Sequence, residues 1–189
     1  GEHLFKVNPN GTKLDKETKD MFHHLTAKAL YLGKRGRPDL QTAVSFCCTR
    51  VQSPDTDDYK KLAHVMKYIQ GTAHLPLILG EDGKGTCIYV DGAHGVHPDK
   101  KGHGGVMVTE GVGTLYASST KLKLNTTSST ESEIVAVGEK LPKHIWYRNF
   151  RLAQGEKPSP DTVITGSKEE QEGDILYQDN ESAILLENN

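Results

Sequence analysis

The sequence predicts an α/β protein with a mixed β-sheet and flanking helices, preceded by a helical segment of about three helices. Two observations carry this prediction. Between about residues 17 and 71, apolar residues recur at three- and four-residue steps, which is typical of helices. Beyond residue 80 the pattern changes to short runs rich in β-branched and aromatic residues, which is typical of strands. The 189 residues suffice for one domain of ordinary size or two small ones.

The helical segment contains three predicted helices joined by short connections. The first begins near Glu17 and ends in the glycine-containing run 33–37, where glycine is a natural stop. Pro38 suits the first turn of the second helix, because its missing N–H has no partner there in any case. The acidic run 55–58 would open the third helix at its positive end, and Gly71 would end it.

Four strands are predicted in the remainder of the chain, at residues 86–91, 104–109, 114–119 and 174–177. The first three are close enough in sequence to form an antiparallel meander. The fourth follows a helical crossover, so we expect it to lie parallel to one of the others. The result is a mixed sheet with helices on its faces.

Two helices and two loops connect or follow these strands. Residues 120–128 are predicted to be a polar loop. Thr130 and Glu133 form a capping box that opens a helix, and a further helical stretch continues beyond Pro142. Residues 155–173 are rich in Gly, Pro, Ser, Lys and Glu and are predicted to be a mobile surface loop. The last helix is predicted at 181–186.

The net charge and its distribution along the chain do not decide between classes of function. The net charge of −2 does not by itself indicate a nucleic-acid binder. Residues 1–80 carry 12 Lys or Arg and 8 Asp or Glu, whereas residues 81–189 carry 11 and 17. The basic half could hold phosphates and the acidic half metal, although an ordinary solvated surface explains the charges equally well.

No apolar run reaches the length that a bilayer requires, so we expect no membrane partner. Three cysteines without metal-ligand spacing suit reduced thiols in an intracellular setting, cytosolic or nuclear. Three histidines, at positions 94, 97 and 103, follow the first strand. Their spacing suggests zinc, but histidines in a polar loop are more often solvated, and a structural zinc site normally closes with four ligands.

Acidic residues stand at strand or helix ends in three places. Asp91 closes the first strand, Asp179 follows the fourth, and Glu131 and Glu133 lie at the start of a helix. A carboxylate at the end of a buried strand is unfavourable unless a cation compensates its charge. Three converging carboxylates would hold Mg²⁺. Because Glu131 and Glu133 are two positions apart on a helix, they point in different directions and only one should face the metal.

The motifs around these residues resemble a known family. Tyr-Val-Asp-Gly-Ala at 89–93, Ser-Ser-Thr-Glu-Ser-Glu at 128–133 and Tyr-Gln-Asp-Asn-Glu-Ser-Ala-Ile at 177–184 resemble the ribonuclease H domain of copia-type LTR retrotransposon polyproteins. Residues 30–44 and 65–72 resemble the stretch that follows the reverse transcriptase palm in those polyproteins. The resemblance covers nearly the whole chain from about residue 20.

The resemblance implies a ribonuclease H-like mixed sheet and two-metal hydrolysis of the RNA strand of RNA/DNA hybrids. It implies Asp91, Glu131 and Asp179 as catalytic residues that bind two Mg²⁺ or Mn²⁺ ions. Glu131 is preferred to Glu133 because it directly follows Thr130, as in related ribonucleases H. A last strand and helix with a fourth acidic residue are expected beyond Asn189, so residues 81–189 are interpreted as a C-terminally truncated ribonuclease H-like domain.

Further contacts follow from this hypothesis. The hybrid would be recognised by its 2′-hydroxyls and phosphates. The residues predicted to bind substrate are Asn125, Ser128, Ser129, Thr130, Asn180, Lys121 and Lys123, and more weakly, as phosphate contacts, Arg35 and Arg37.

Residues 1–80 are interpreted as a helical thumb- or connection-like segment, either a separate domain or part of one unit with the sheet. The expected partners are an RNA/DNA hybrid and the polymerase domain of the same polyprotein. The expected location is the cytoplasm, in a virus-like particle, or the nucleus. An alternative function is a non-catalytic ribonuclease H-like connection domain that binds nucleic acid or other parts of the polyprotein.

Overall fold

A computed structural model describes residues 2–80, 85–158, 162–165 and 174–187. Within these ranges the chain forms six α-helices and one five-stranded mixed sheet, which confirms the predicted α/β class. No helix in the described ranges is long and apolar enough to cross a membrane.

The three predicted helices of the N-terminal segment are all present. They are α2 (Lys16–Arg35), α3 (Gln41–Arg50), which a 3₁₀ turn at Pro38–Leu40 precedes, and α4 (Thr56–Gly71). A short helix, α1 (Glu2–Phe5), was not predicted. Side-chain hydrogen bonds cap the first turns of α2 and α4. The Asp15 carboxylate accepts the Thr18 backbone N–H at 2.9 Å, and Asp55 and Asp58 form a reciprocal capping box.

The apolar faces of these helices meet in two adjoining clusters. Each cluster contains residues from more than one helix, so the segment has a core of its own. The buried members are Phe22, Phe46, Cys47 and Leu62 in the first cluster and Ala29, Leu40, Val44 and Val65 in the second.

The sheet has the strand order β3-β2-β1-β5-β4. As predicted, β1 (Cys87–Ala93), β2 (His103–Thr109) and β3 (Thr114–Lys121) form an antiparallel meander. Also as predicted, β5 (Asp174–Tyr177) lies parallel to one of them, β1. Strand β3 extends into the predicted polar loop by two residues.

Strand β4 (Thr162–Thr165) lies within the segment predicted to be a loop, and it pairs in parallel with β5 at the edge of the sheet. That part of the loop prediction is therefore wrong. A four-residue strand gives almost no periodicity, and its stability depends on a partner strand that lies later in the sequence. The rest of the predicted loop at 159–161 and 166–173, and the predicted turn at 81–84, lie outside the described residues.

One long helix, α5 (Ser129–Ala153), covers one face of the sheet and continues through Pro142 without a break. The buried residues between helix and sheet are Ile88, Val90, Val106, Val108, Leu122, Ala136, Val137 and Leu176. Helix α6 (Glu181–Glu187) follows β5 and contacts α5. On β1 burial alternates: Ile88, Val90 and Gly92 are buried, whereas Tyr89 and Asp91 are exposed.

The helical segment contacts the sheet along β3 and the β1–β2 loop. Ser119 Oγ donates to Thr42 Oγ1 at 3.2 Å, and Lys34 Nζ donates to the Ala117 carbonyl at 3.3 Å. His103 Nε2 lies 2.6 Å from Ser119 Oγ. A chain of polar contacts therefore joins α3 to β3 and β2.

Candidate metal centre

Three carboxylates converge where β1 and β5 end. Asp91, Glu133 and Asp179 each offer an oxygen, and these oxygens lie within 4.8 Å of one another. The register of the parallel pair explains why the two aspartates are neighbours. Tyr89 pairs with Tyr177, so the residues two positions further along, Asp91 on β1 and Asp179 just after β5, lie side by side. The predicted convergence of Asp91 and Asp179 is therefore present.

The third carboxylate comes from α5, which approaches β1 closely at Gly92. A Cβ atom at Gly92 would lie 2.7 Å from the Ser132 carbonyl oxygen and 3.0 Å from the Glu133 Cα. Real Cβ contacts are essentially never that short to a backbone atom. The missing side chain thus lets the helix backbone lie directly on the strand, and this brings Glu133 beside Asp91.

The structure corrects the choice between the two glutamates. Glu133 is only 6% exposed, and it lies on the helical face that Ala136 and Val137 bury against the sheet, three and four positions later. Glu131 points elsewhere, because its carboxylate accepts the backbone N–H of Thr127 at 2.6 Å and the Thr127 hydroxyl at 2.8 Å. The signal was present in the sequence, since Glu133 shares the helical stripe of the buried apolar residues.

Burial and the mutual repulsion of the carboxylates dominate the electrostatics of the cluster. Burial, together with the charges of the neighbouring Asp91 and Asp179 carboxylates, raises the pKa of Glu133 to about 7. Burial and the charge of Asp179 likewise raise the pKa of Asp91. Glu133 Oε2 is buried and has no hydrogen-bond partner among the described residues. A buried acceptor without a partner is costly, so a ligand that binds it would stabilise the fold.

Glu133 should make the metal-free protein less stable as the pH rises. Its pKa in the folded state is about 7, against an ordinary value of 4.5, so the folded protein holds the proton more tightly. The stability that this provides is present below about pH 4.5 and is lost as the pH rises through 7. Relative to wild type, Glu133→Gln should therefore gain roughly 1–3 kcal/mol of unfolding free energy between pH 5 and pH 8.

Urea denaturation of both proteins in EDTA, at several pH values, measures this difference. Glu131→Gln serves as the matched control, since hydrogen bonds to Thr127 lower the pKa of Glu131 instead. A constant difference between wild type and Glu133→Gln across this range would show that Glu133 does not titrate near neutrality.

The donor set suits a hard divalent cation. All three groups are carboxylates, and Mg²⁺ and Mn²⁺ favour oxygen ligands of this type. The orphaned Glu133 Oε2 supplies a lone pair without another use. The cluster could therefore hold a metal ion, as the sequence predicted, with Glu133 in place of Glu131.

The polar residues predicted to bind substrate divide into exposed ones and capping ones. Asn125 and Ser129 are exposed, and Thr130 is half-buried at the start of α5. Ser128 and Asn180 cap helices: Ser128 Oγ accepts the Glu131 N–H at 3.1 Å, and Asn180 Oδ1 accepts the Ala183 N–H at 3.0 Å. Their side-chain oxygens therefore already have local structural partners.

A hydrogen-bonded group not predicted from the sequence holds the start of α5 to the end of β1. His94 Nδ1 lies 3.1 Å from Thr126 Oγ1 and 3.2 Å from Ser132 Oγ, and these two hydroxyls lie 2.6 Å apart. Ser132 precedes Glu133, so this contact positions the glutamate. Nothing in the local pattern indicated it, because His94 is far from the other two residues in the sequence.

The basic residues that were predicted to contact substrate or phosphate have different surroundings in the structure. Arg37 is a structural residue: it is 9% exposed, and its guanidinium donates to the Asp39 carboxylate and to Thr72. Its guanidinium therefore already has structural partners, and its phosphate contact stays a prediction. Lys121 forms an ion pair with Asp99. The Arg35 guanidinium lies over the Tyr31 ring, 5.6 Å from its centroid, and the side chain of Lys123 is exposed.

Comparisons with protein-family models, curated proteins and solved structures found no match to this chain. Functional inference therefore depends on the geometry of the site. What the structure defines is a mixed α/β protein with a carboxylate cluster, at the ends of two parallel strands, that could hold a metal ion.

Proposed function

We propose that this chain is a ribonuclease H module of a retrotransposon polyprotein, which hydrolyses the RNA strand of RNA/DNA hybrids with two divalent metal ions. The observation that carries the proposal is the convergence of Asp91, Glu133 and Asp179 at the ends of β1 and β5. The motifs containing these residues are the ones that resemble the ribonuclease H domain of copia-type elements.

The three carboxylates would hold the cations, and the surrounding residues would keep them in place. Divalent cations bound there would lower the pKa of an attacking water and stabilise the leaving 3′ oxygen. Glu133 must be ionised to bind a cation, and its raised pKa means that binding would release a proton near neutral pH. Gly92 and the His94 contact to Ser132 would fix the position of Glu133.

Substrate selection would use the exposed residues beside the cluster. Asn125, Ser129 and Thr130 lie at or just before the start of α5, close in sequence to Glu133. Their amide and hydroxyl groups could hydrogen-bond the 2′-hydroxyls that distinguish RNA from DNA in the minor groove of a hybrid.

The direct test is cleavage of an RNA/DNA hybrid labelled on the RNA strand, with Mg²⁺ or Mn²⁺, by wild type and by Asp91→Asn. We expect metal-dependent cutting of the RNA strand that the substitution abolishes, because Asp91 supplies a ligand to the proposed ions. Duplex DNA should not be cut.

Metal binding is measured separately from turnover. Saturating Mg²⁺ should raise the melting temperature of wild type, since a ligand at 100 times its Kd stabilises the folded state by about 2.7 kcal/mol. A protein that binds Mg²⁺ but leaves the RNA intact would support the alternative, a non-catalytic ribonuclease H-like domain. A protein that neither binds the metal nor cuts RNA would contradict the proposal.

A further inference from the structure

A cationic cavity lies between the N-terminal segment and the β1–β2 loop. Its volume is about 580 Å³, and its charged or titratable lining residues are Lys6, His94, His97 and Lys100. Among the described residues that form its wall, none is acidic. An open cavity with lysines in its wall and no carboxylate favours an anionic ligand.

Aromatic packing holds one wall in place. The Phe5 ring lies against three other rings, with centroid distances of 5.2 Å to His97, 5.0 Å to His103 and 5.8 Å to Phe46. Lys61 Nζ donates to the carbonyl of Lys6, the next residue. The backbone that carries Lys6 is therefore anchored to both the helical segment and the sheet.

Hydrogen bonds fix the opposite wall. The Lys100 N–H donates to the His97 carbonyl at 2.8 Å, and the His97 N–H donates to the Lys101 carbonyl at 3.1 Å. The His97 side chain is 3% exposed, and its Nε2 lies 3.0 Å from His103 Nδ1. Because both walls are already ordered, a ligand would bind without a large cost in conformational entropy.

The positive charge of the β1–β2 loop is not neutralised by acidic residues of the loop itself. Its one carboxylate, Asp99, is paired with Lys121 on β3. Lys101 Nζ donates to the Lys123 carbonyl, which is neutral. Lys100 forms no ion pair among the described residues, and its side chain is exposed. The loop therefore presents uncompensated positive charge.

The cavity and the carboxylate cluster are close to each other in the sequence. His94, in its wall, follows the end of β1 and stands three residues after Asp91. A ligand held at both places must carry negative charge at the cavity and a group that divalent ions bind at the cluster. A nucleic-acid backbone meets both conditions, because it carries phosphates at regular intervals.

We propose that this cavity binds a phosphate group, and specifically a backbone phosphate of the nucleic acid whose scissile bond lies at the carboxylate cluster. This inference rests on the proposed function. The lysines supply the charge, and the anchored loop supplies the shape. The site is distinct from the contacts that the sequence predicted for Lys121, Lys123 and Arg35, since none of these residues lines the cavity.

The test compares two double variants that remove the same charge. Lys6→Gln with Lys100→Gln removes the cavity lysines, and Lys28→Gln with Lys67→Gln removes two exposed lysines on α2 and α4 that do not line it. Affinity for a labelled RNA/DNA hybrid is measured by fluorescence anisotropy at several salt concentrations, in an Asp91→Asn background with Mg²⁺ so that the hybrid stays intact.

We expect the cavity variant to bind the hybrid at least about fivefold more weakly near 0.1 M salt. The slope of log K against log salt should become shallower by about 0.9 for each phosphate that the variant no longer neutralises. The control should keep the parent's slope. Equal reductions of affinity in both double variants would overturn the proposal, because they would show a general charge effect. Unfolding is excluded by comparing melting temperatures.

A second experiment distinguishes binding of a backbone phosphate from binding of free phosphate. Melting temperatures are compared in inorganic phosphate and in chloride of equal ionic strength. Stabilisation by phosphate that depends on Lys6 and Lys100, together with unchanged hybrid affinity in the cavity variant, would overturn the assignment to a backbone. If the parent binds no hybrid, the proposed function is contradicted. The assignment to a backbone phosphate then falls with it, and the phosphate arm alone shows whether the cavity binds an anion.

Discussion

Glu133→Gln is expected to abolish metal-dependent cleavage of the RNA strand, whereas Glu131→Gln should retain it. The Glu133 carboxylate lies with Asp91 and Asp179, and the Glu131 carboxylate is bonded to Thr127. A metal ion contributes several kcal/mol of transition-state stabilisation, so the loss of one anionic ligand should lower kcat/KM by at least about 100-fold. Cleavage rates of the two variants at saturating Mg²⁺ provide the measurement.

These two substitutions form a matched pair, since each replaces a glutamate by its amide near the start of α5. The midpoint of the Mg²⁺-induced rise in melting temperature is a second readout that does not need turnover. It should shift to higher Mg²⁺ in Glu133→Gln and stay in place in Glu131→Gln. The opposite result would return the role to Glu131 and would mean that the helix is rotated relative to the sheet.

The second large effect is expected at Gly92. In Gly92→Ala the new Cβ would lie 2.7 Å from the Ser132 carbonyl oxygen, and the nearest atoms belong to the helix backbone rather than to a flexible side chain. The helix must therefore move away from β1. Overpacking of this kind costs about 1–3 kcal/mol, and the displacement would also move Glu133 away from Asp91. Both the unfolding free energy and Mg²⁺ binding should fall.

Gly138→Ala on the same helix is the control for this prediction. A Cβ at Gly138 would have no atom within 4 Å, and alanine is favoured over glycine within a helix by about 0.5–1 kcal/mol. This variant should be as stable as wild type or more stable, with Mg²⁺ binding unchanged. Denaturant titration of all three proteins tests the pair. A Gly92→Ala protein with wild-type stability would show that α5 does not lie directly on β1.

Much of the fold could be predicted because its signals are local. The three helices of the N-terminal segment have apolar periodicity, and two of them start at an aspartate cap. The meander strands are separated by short connections, so antiparallel pairing follows almost directly. Strand β4 lacked such signals, because it is four residues long and lies in a polar segment. Its pairing with β5 is decided by contacts that do not appear in the local sequence.

The candidate site, like the fold, could be predicted from the sequence only in part. The sequence by itself determined that carboxylates stand near the ends of β1 and β5 and at the start of α5, and it left open which strand pairs with β5 and so whether Asp91 and Asp179 are neighbours. Only the tertiary structure decided which glutamate joins them. The reason is physical: the rotation of a helix about its axis is set by what it packs against, and here Gly92 lets α5 approach until Glu133 faces Asp91. The cavity beside Lys6 and Lys100 is likewise tertiary, since residues about 90 positions apart form its two walls.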